Sequence, residues 1–95
     1  MKLEYSKDYL RTLKRINKKR ILSPKSIDDA IALYLTDNTD VRLQFKKINC
    51  KRDKYRYSIR IPNTQYRILL SIRENLTIFV CICSHDDYDL RNKNC

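Results

Sequence analysis

From Tyr55 to Ile61 the side chains alternate, with Tyr55, Tyr57, Ile59 and Ile61 on one side and Arg56, Ser58 and Arg60 on the other. A period of two describes a strand with one covered face and one open face. Pro62-Asn63-Thr64 supplies a turn, Tyr66 to Arg73 a second strand, Glu74-Asn75 a tight reversal and Thr77 to Ser84 a third strand. The third is the most apolar and is expected at the centre of the sheet.

The first half carries a different period. Lys2 to Tyr5 alternates briefly, as a short first strand would. After Ser6, a candidate N-cap, Tyr9, Leu10, Leu13 and Ile16 recur at helical spacing, while Arg11, Lys14, Arg15 and Lys18 fall elsewhere on the wheel. Pro24 disfavours the helical region for Ser23 but suits the first turn of a new helix, capped by Ser23 or Ser26. Asp28 and Asp29 are expected in that first turn, where the helix dipole favours acids. Ile27, Ala30, Ile31, Tyr34 and Leu35 form its apolar face, and the helix is expected to end near Asp37-Asn38. Leu43, Phe45 and Ile48 fall in a connecting segment.

The elements thus run β-α-α-β-β-β, an α+β domain with two N-terminal helices packed on a small antiparallel sheet. One domain over 1–95 is expected, with 89–95 a polar tail. The chain has no glycine, so its turns must use Asn, Asp and Pro. No stretch approaches the roughly 20 apolar residues of a membrane helix, and the start lacks the apolar run of a secretory signal, which makes the cytoplasm the expected location. The cysteines Cys50, Cys81, Cys83 and Cys95 show no CxxC spacing and are expected as reduced thiols.

Charge narrows the function. Lys and Arg number 21 against 11 acids, a formal net charge of +10. Like charges crowded on so small a surface repel one another, and a polyanionic partner offsets that cost: nucleic acid, an anionic membrane or an acidic protein.

The segments FKKI, YSIRIPNTQYRILLSI, the apolar strand after them and HDDY, in that order, resemble the RelE/ParE toxins. The matching residues are Tyr57, Ile59, Arg60, Tyr66 and Arg67 in the meander and His85 and Tyr88 after the last strand, and the resemblance spans about residues 3 to 88. Two departures stand out: Cys50 and Pro62-Asn63 replace glycines common in the family, and Ser58 stands where some ribosome-dependent members carry a basic residue. The resemblance implies a RelE-like fold and a toxin of a type II toxin–antitoxin system that cuts messenger RNA on the ribosome. It also implies a cognate acidic antitoxin as partner, alongside ribosome and message.

Cutting RNA without a metal needs a base for the 2′-hydroxyl proton, cations for the extra charge on the pentacoordinate phosphate and an acid for the departing 5′-oxygen. Arg60, Arg67, His85 and Tyr88 are the candidate catalytic set. A hairpin would bring both guanidiniums to one phosphate, and His85, the only histidine, has an ordinary pKa of about 6.5 that suits proton exchange near neutrality. Lys46, Lys47, Lys51, Arg52 and Arg56 are candidate RNA contacts. Each has a blander reading: His85 as a surface residue, Arg67 paired with Asp86 or Asp87, Tyr88 as core, the lysines as solvated surface. Cys81, Cys83 and His85 would share one strand face, but ligands two apart on a strand sit roughly 6 to 7 Å apart and would struggle to converge on one zinc ion with bonds near 2.3 Å; buried cysteines explain the pattern more simply, and neither metal nor cofactor is expected. Two further functions remain open: a ParE-like inhibitor of DNA gyrase acting by protein contact, which would leave Arg60 and His85 dispersed, and a plain nucleic-acid-binding module.

Overall fold

Ser6 ends the first strand and starts the first helix. Its backbone is extended, its hydroxyl accepts from the Tyr9 N–H at 3.0 Å, and the same hydroxyl donates to the Val80 carbonyl at 2.6 Å. Strand β1 (Lys2–Tyr5) and helix α1 (Lys7–Lys18) flank it. In this computed structural model, which describes residues 2–93, β1 runs parallel to β5 (Leu76–Cys83), from Lys2 opposite Leu76 to Tyr5 opposite Phe79. The sheet is therefore mixed rather than wholly antiparallel. Where β1 stops, α1 takes over the open edge of β5: the Ile82 N–H donates to Thr12 Oγ1 at 3.1 Å, and that hydroxyl donates on to the Tyr9 carbonyl at 2.9 Å. Thr12→Val keeps the shape but leaves a buried N–H without an acceptor. It should lower stability by about 1–3 kcal/mol, read as a lower urea midpoint with an unchanged slope.

Helix α2 (Pro24–Thr36) is capped by Ser23, which accepts from the Ser26 N–H at 3.1 Å. With Pro24 as its first residue, Asp28 and Asp29 fall beyond the first turn, and Asp29 instead pairs with Lys25 at 2.8 Å. Of the expected apolar faces, Leu10 and Leu35 are exposed, while Thr12 is buried in the place read for apolar residues.

Strands β3 (Arg56–Arg60), β4 (Arg67–Arg73) and β5 form the expected meander. The two turns use asparagine in the left-handed region, Asn63 at φ 64° and Asn75 at φ 58°, as a chain without glycine requires. A two-residue strand, β2 (Lys46–Lys47), adds to the outer edge of β3, too short to show a period in sequence. The order is β1-β5-β4-β3-β2, so β4 holds the middle and the more apolar β5 lies between it and β1.

Both sheet faces are covered. On one, Ile59, Ile61, Ile68, Leu70, Phe79 and Ile82 pack against Tyr9, Ile16, Ile27, Ala30 and Tyr34 of the helices. Phe79 and Ile82, three apart, share that face because Val80 is the extra residue of a bulge, with Leu69 opposite Cys81 and Leu70 opposite Phe79. On the other face Ile48, Leu69, Cys81 and Cys83 gather around Tyr88. Tyr88 belongs to a third helix, α3 (His85–Lys93), which takes in most of the polar tail; residues 94 and 95 lie outside the described residues. Ser58, expected on an open face, is buried beneath this helix. Cys81 and Cys83 are free, buried thiols, whereas Cys50 is disulfide-bonded, contrary to the reduced thiol expected; Cys95 is outside the described residues. No helix is long and apolar enough to cross a membrane among the described residues.

Arg91 ties α3 to the body. Its Nη1 lies 2.7 Å from Asp8 Oδ2 in α1 and its Nε 3.2 Å from Asp87 Oδ2. Burial raises the Asp8 pKa, but hydrogen bonds from Arg11 and Arg91 outweigh it and hold the carboxyl below its ordinary value. A depressed carboxylate pKa stabilises the fold above the unfolded pKa near 4, and that stabilisation is lost as pH falls through the folded value. Arg91→Met should therefore be less stable than wild type at pH 7, and the gap between their denaturation midpoints should narrow below about pH 4. A gap that stays constant to pH 2 would refute the Asp8 link.

Candidate active site

Arg60 and Arg67 close the β3–β4 hairpin as a directly opposed pair, so both side chains leave the same face of the sheet. That face is the one α3 covers, since Ser58 and Leu69 precede them in register and both lie under Tyr88's cluster. Two like charges set opposite each other repel, and each guanidinium is held by a neutral acceptor rather than by an acid. Arg60 Nε donates to the Thr64 carbonyl at 2.8 Å, and Arg67 Nη2 donates to Gln44 Oε1 at 2.8 Å. Arg67 also lies over the Tyr88 ring, 5.1 Å from its centroid, a cation–π arrangement. Its Nη1 is buried with no hydrogen-bond partner.

Tyr88 is 5 % exposed, and its hydroxyl meets Ser58 Oγ at 3.1 Å, which turns the phenol away from solvent. Lys46, opposite Ser58 in the β2–β3 pairing, places Nζ 5.7 Å from the same ring centroid. The ring thus serves as a floor for two cations.

His85 opens α3, where Ser84 accepts from the Asp87 N–H at 3.3 Å through its hydroxyl and from the Tyr88 N–H at 2.8 Å through its carbonyl. The imidazole is 62 % exposed, with Nε2 3.5 Å from Asp89 Oδ2. Arg60, Gln65, Arg67 and His85 line one open concavity of about 280 Å³. Two cations and a titratable imidazole on one open surface have the chemistry to bind a phosphodiester and move a proton beside it.

The structure brings Arg60, Arg67 and His85 together on one concavity and sets Tyr88 beneath Arg67. It disperses most of the expected RNA contacts. Lys46 shares the site's face, but Lys47, the next residue, projects to the other side and sits 4.8 Å from the Tyr57 ring centroid. Lys51 and Arg52 are exposed on the loop between β2 and β3. Arg56 pairs with Asp53 at 3.3 Å and is only 16 % exposed, so its charge is already matched. Cys81 and Cys83 point into the buried cluster, and His85, in a helix rather than on their strand, does not share their face. A larger groove of about 480 Å³ beside α2 is lined by Ser26, Asp29, Arg42, Pro62 and Asn63 among others, but Arg42 is bound to Asp40 at 2.9 Å and no imidazole lines it. Gln44 and Gln65 are the lining or supporting residues that periodicity does not reveal, since neither falls in an apolar pattern.

These elements, a five-stranded mixed sheet with two helices on one face and a third capping the other, define the RelE-like toxin fold. The structure superposes on YafQ from E. coli strain BL21(DE3) with a TM-score of 0.72 at 12 % identity, covering 88 % of this chain and 92 % of that one. It matches the E. coli DinJ–YafQ toxin–antitoxin complex with a TM-score of 0.73 at 14 % identity, over 88 % of this chain and 91 % of that one. The RelB–RelE antitoxin–toxin complex from Methanococcus jannaschii gives 0.60 at 20 % identity, over 92 % and 96 %. No family model and no curated protein matches the sequence.

Proposed function

We propose that this protein is the toxin of a type II toxin–antitoxin pair and a metal-independent endoribonuclease that cuts messenger RNA on the ribosome. The observation that carries this reading is the convergence of Arg60, Arg67 and His85 on one open concavity. A gyrase inhibitor acting by protein contact has no need of that convergence. Arg60 and Arg67 hold the scissile phosphate and stabilise the phosphorane; His85 carries the proton between the 2′-hydroxyl and the departing 5′-oxygen. The 2′-oxygen bonds to phosphorus as the bond to the 5′-oxygen breaks, leaving a 2′,3′-cyclic phosphate and a 5′-hydroxyl. Lys46, with Lys51 and Arg52 further out, adds attraction for the surrounding RNA.

The net charge of +10 supports an acidic antitoxin that covers the concavity. Complexes of that kind among the structural neighbours, DinJ–YafQ and RelB–RelE, support the same partner class. A cytoplasmic location accords with a ribosomal target. Primer extension on messages after induction tests the reading: new 5′ ends should appear within translated regions and vanish when translation is blocked. Growth arrest with intact messages and damaged DNA would overturn it in favour of gyrase.

A further inference from the structure

We infer that Gln44 is a positioning residue for the phosphate-binding arginine: it holds the Arg67 guanidinium in place over the Tyr88 ring. This deepens the nuclease reading above and rests on it.

Two independent observations converge on Gln44. The first is its backbone. Gln44 closes the turn of 3₁₀ helix at Val41–Leu43 with φ 46° and ψ 46°, a left-handed conformation that glycine and asparagine adopt readily and glutamine does not. Arg20, Asn63 and Asn75 are the other described residues at positive φ, and of these Asn63 and Asn75 lie in the β-hairpin turns. Strained backbone at a residue whose side chain reaches a candidate site points to a use for that side chain. The second is the side chain itself. Gln44 Oε1 accepts from Arg67 Nη2 at 2.8 Å across 23 residues of sequence.

The chemistry of the acceptor matters. An amide oxygen orients a guanidinium through a hydrogen bond without neutralising it, whereas a carboxylate would form an ion pair and compete with the phosphate. With the ring below and the amide at Nη2, Arg67 loses rotation about its side chain before any ligand arrives. The geometry is thereby set in advance of the transition state, where it lowers the barrier rather than merely tightening binding.

The test uses the full chain and two substitutions. Gln44→Gly removes the amide and relieves the left-handed backbone, so it should melt no lower than wild type. Gln44→Glu keeps an acceptor of the same reach. NMR of the Arg67 guanidinium should show slow rotation about the Cζ–N bonds in wild type and Gln44→Glu and fast rotation in Gln44→Gly. On programmed ribosomes kcat of Gln44→Gly should fall about 10- to 100-fold with KM little changed. Unchanged Arg67 rotation in Gln44→Gly, or fast rotation in Gln44→Glu, would overturn the clamp. Because rotation is read without cleavage, a wild type that cuts no message but whose Gln44→Gly variant frees Arg67 sinks the nuclease reading alone and supports the clamp.

Discussion

His85→Gln and Arg67→Ala should each stop message cleavage while leaving the protein folded. Both side chains face the open concavity, and neither belongs to the buried clusters. Loss of one positioned proton carrier, or of the cation facing the phosphorane, typically costs 10²- to 10⁴-fold, about 3–5 kcal/mol of barrier. Induced cells carrying either variant should keep their messages intact and grow, and purified variants should melt within a few degrees of wild type. Folded His85→Gln that cuts at the wild-type rate would remove His85 from the mechanism. Control truncations belong at Ile59, fully buried against the helices; Ile78 is partly exposed and is a poorer choice.

Tyr88 should separate stability from chemistry. It is the buried side chain of α3, so Tyr88→Ala removes the ring that anchors the helix and should cost about 3–5 kcal/mol. Tyr88→Phe keeps the ring under Arg67 and Lys46 and loses only the contact with Ser58, about 1 kcal/mol. If the ring is a floor, Tyr88→Phe retains most of its cleavage activity. A loss of 10²-fold or more in a well-folded Tyr88→Phe protein would mean that the hydroxyl itself donates a proton, one of the readings open to it beside core packing and base stacking. Thermal melts and cleavage rates on the same preparations decide between them.

What sequence made legible follows from how locally each feature is encoded. The β3 alternation and the Pro62-Asn63-Thr64 turn announce a hairpin that can bring Arg60 and Arg67 together; that the two stand directly opposite each other emerges only from the register. Pro24 and Ser23 marked the start of α2 for equally local reasons. β2 was not readable because two residues carry no period. α3 was hidden because only Tyr88 in HDDYDLRNK is buried, and one apolar contact makes no stripe. That single omission exposed Ser58 on paper and made the sheet one-sided. Thr12 was missed because its burial answers a backbone N–H on another element, Ile82, 70 residues away. Gln44 reaches Arg67 only after the sheet has closed, and no residue type or spacing announces such a contact.

The parallel seating of β1 against β5 bears on when the site comes into being. Lys2 finds its partner at Leu76, so the first strand made waits for nearly the last. Pairings so distant in sequence carry a large loop-closure cost and form late. Every group of the candidate site lies between Gln44 and Tyr88, and its floor and its histidine sit in α3, the last element among the described residues. During synthesis, which releases the amino-terminal elements first, α1 and α2 emerge with no sheet to cover and no phosphate site to offer. Assembly of the candidate site is then deferred until α3, which carries Tyr88 and His85, has emerged, whether or not β1 has yet found its place on β5.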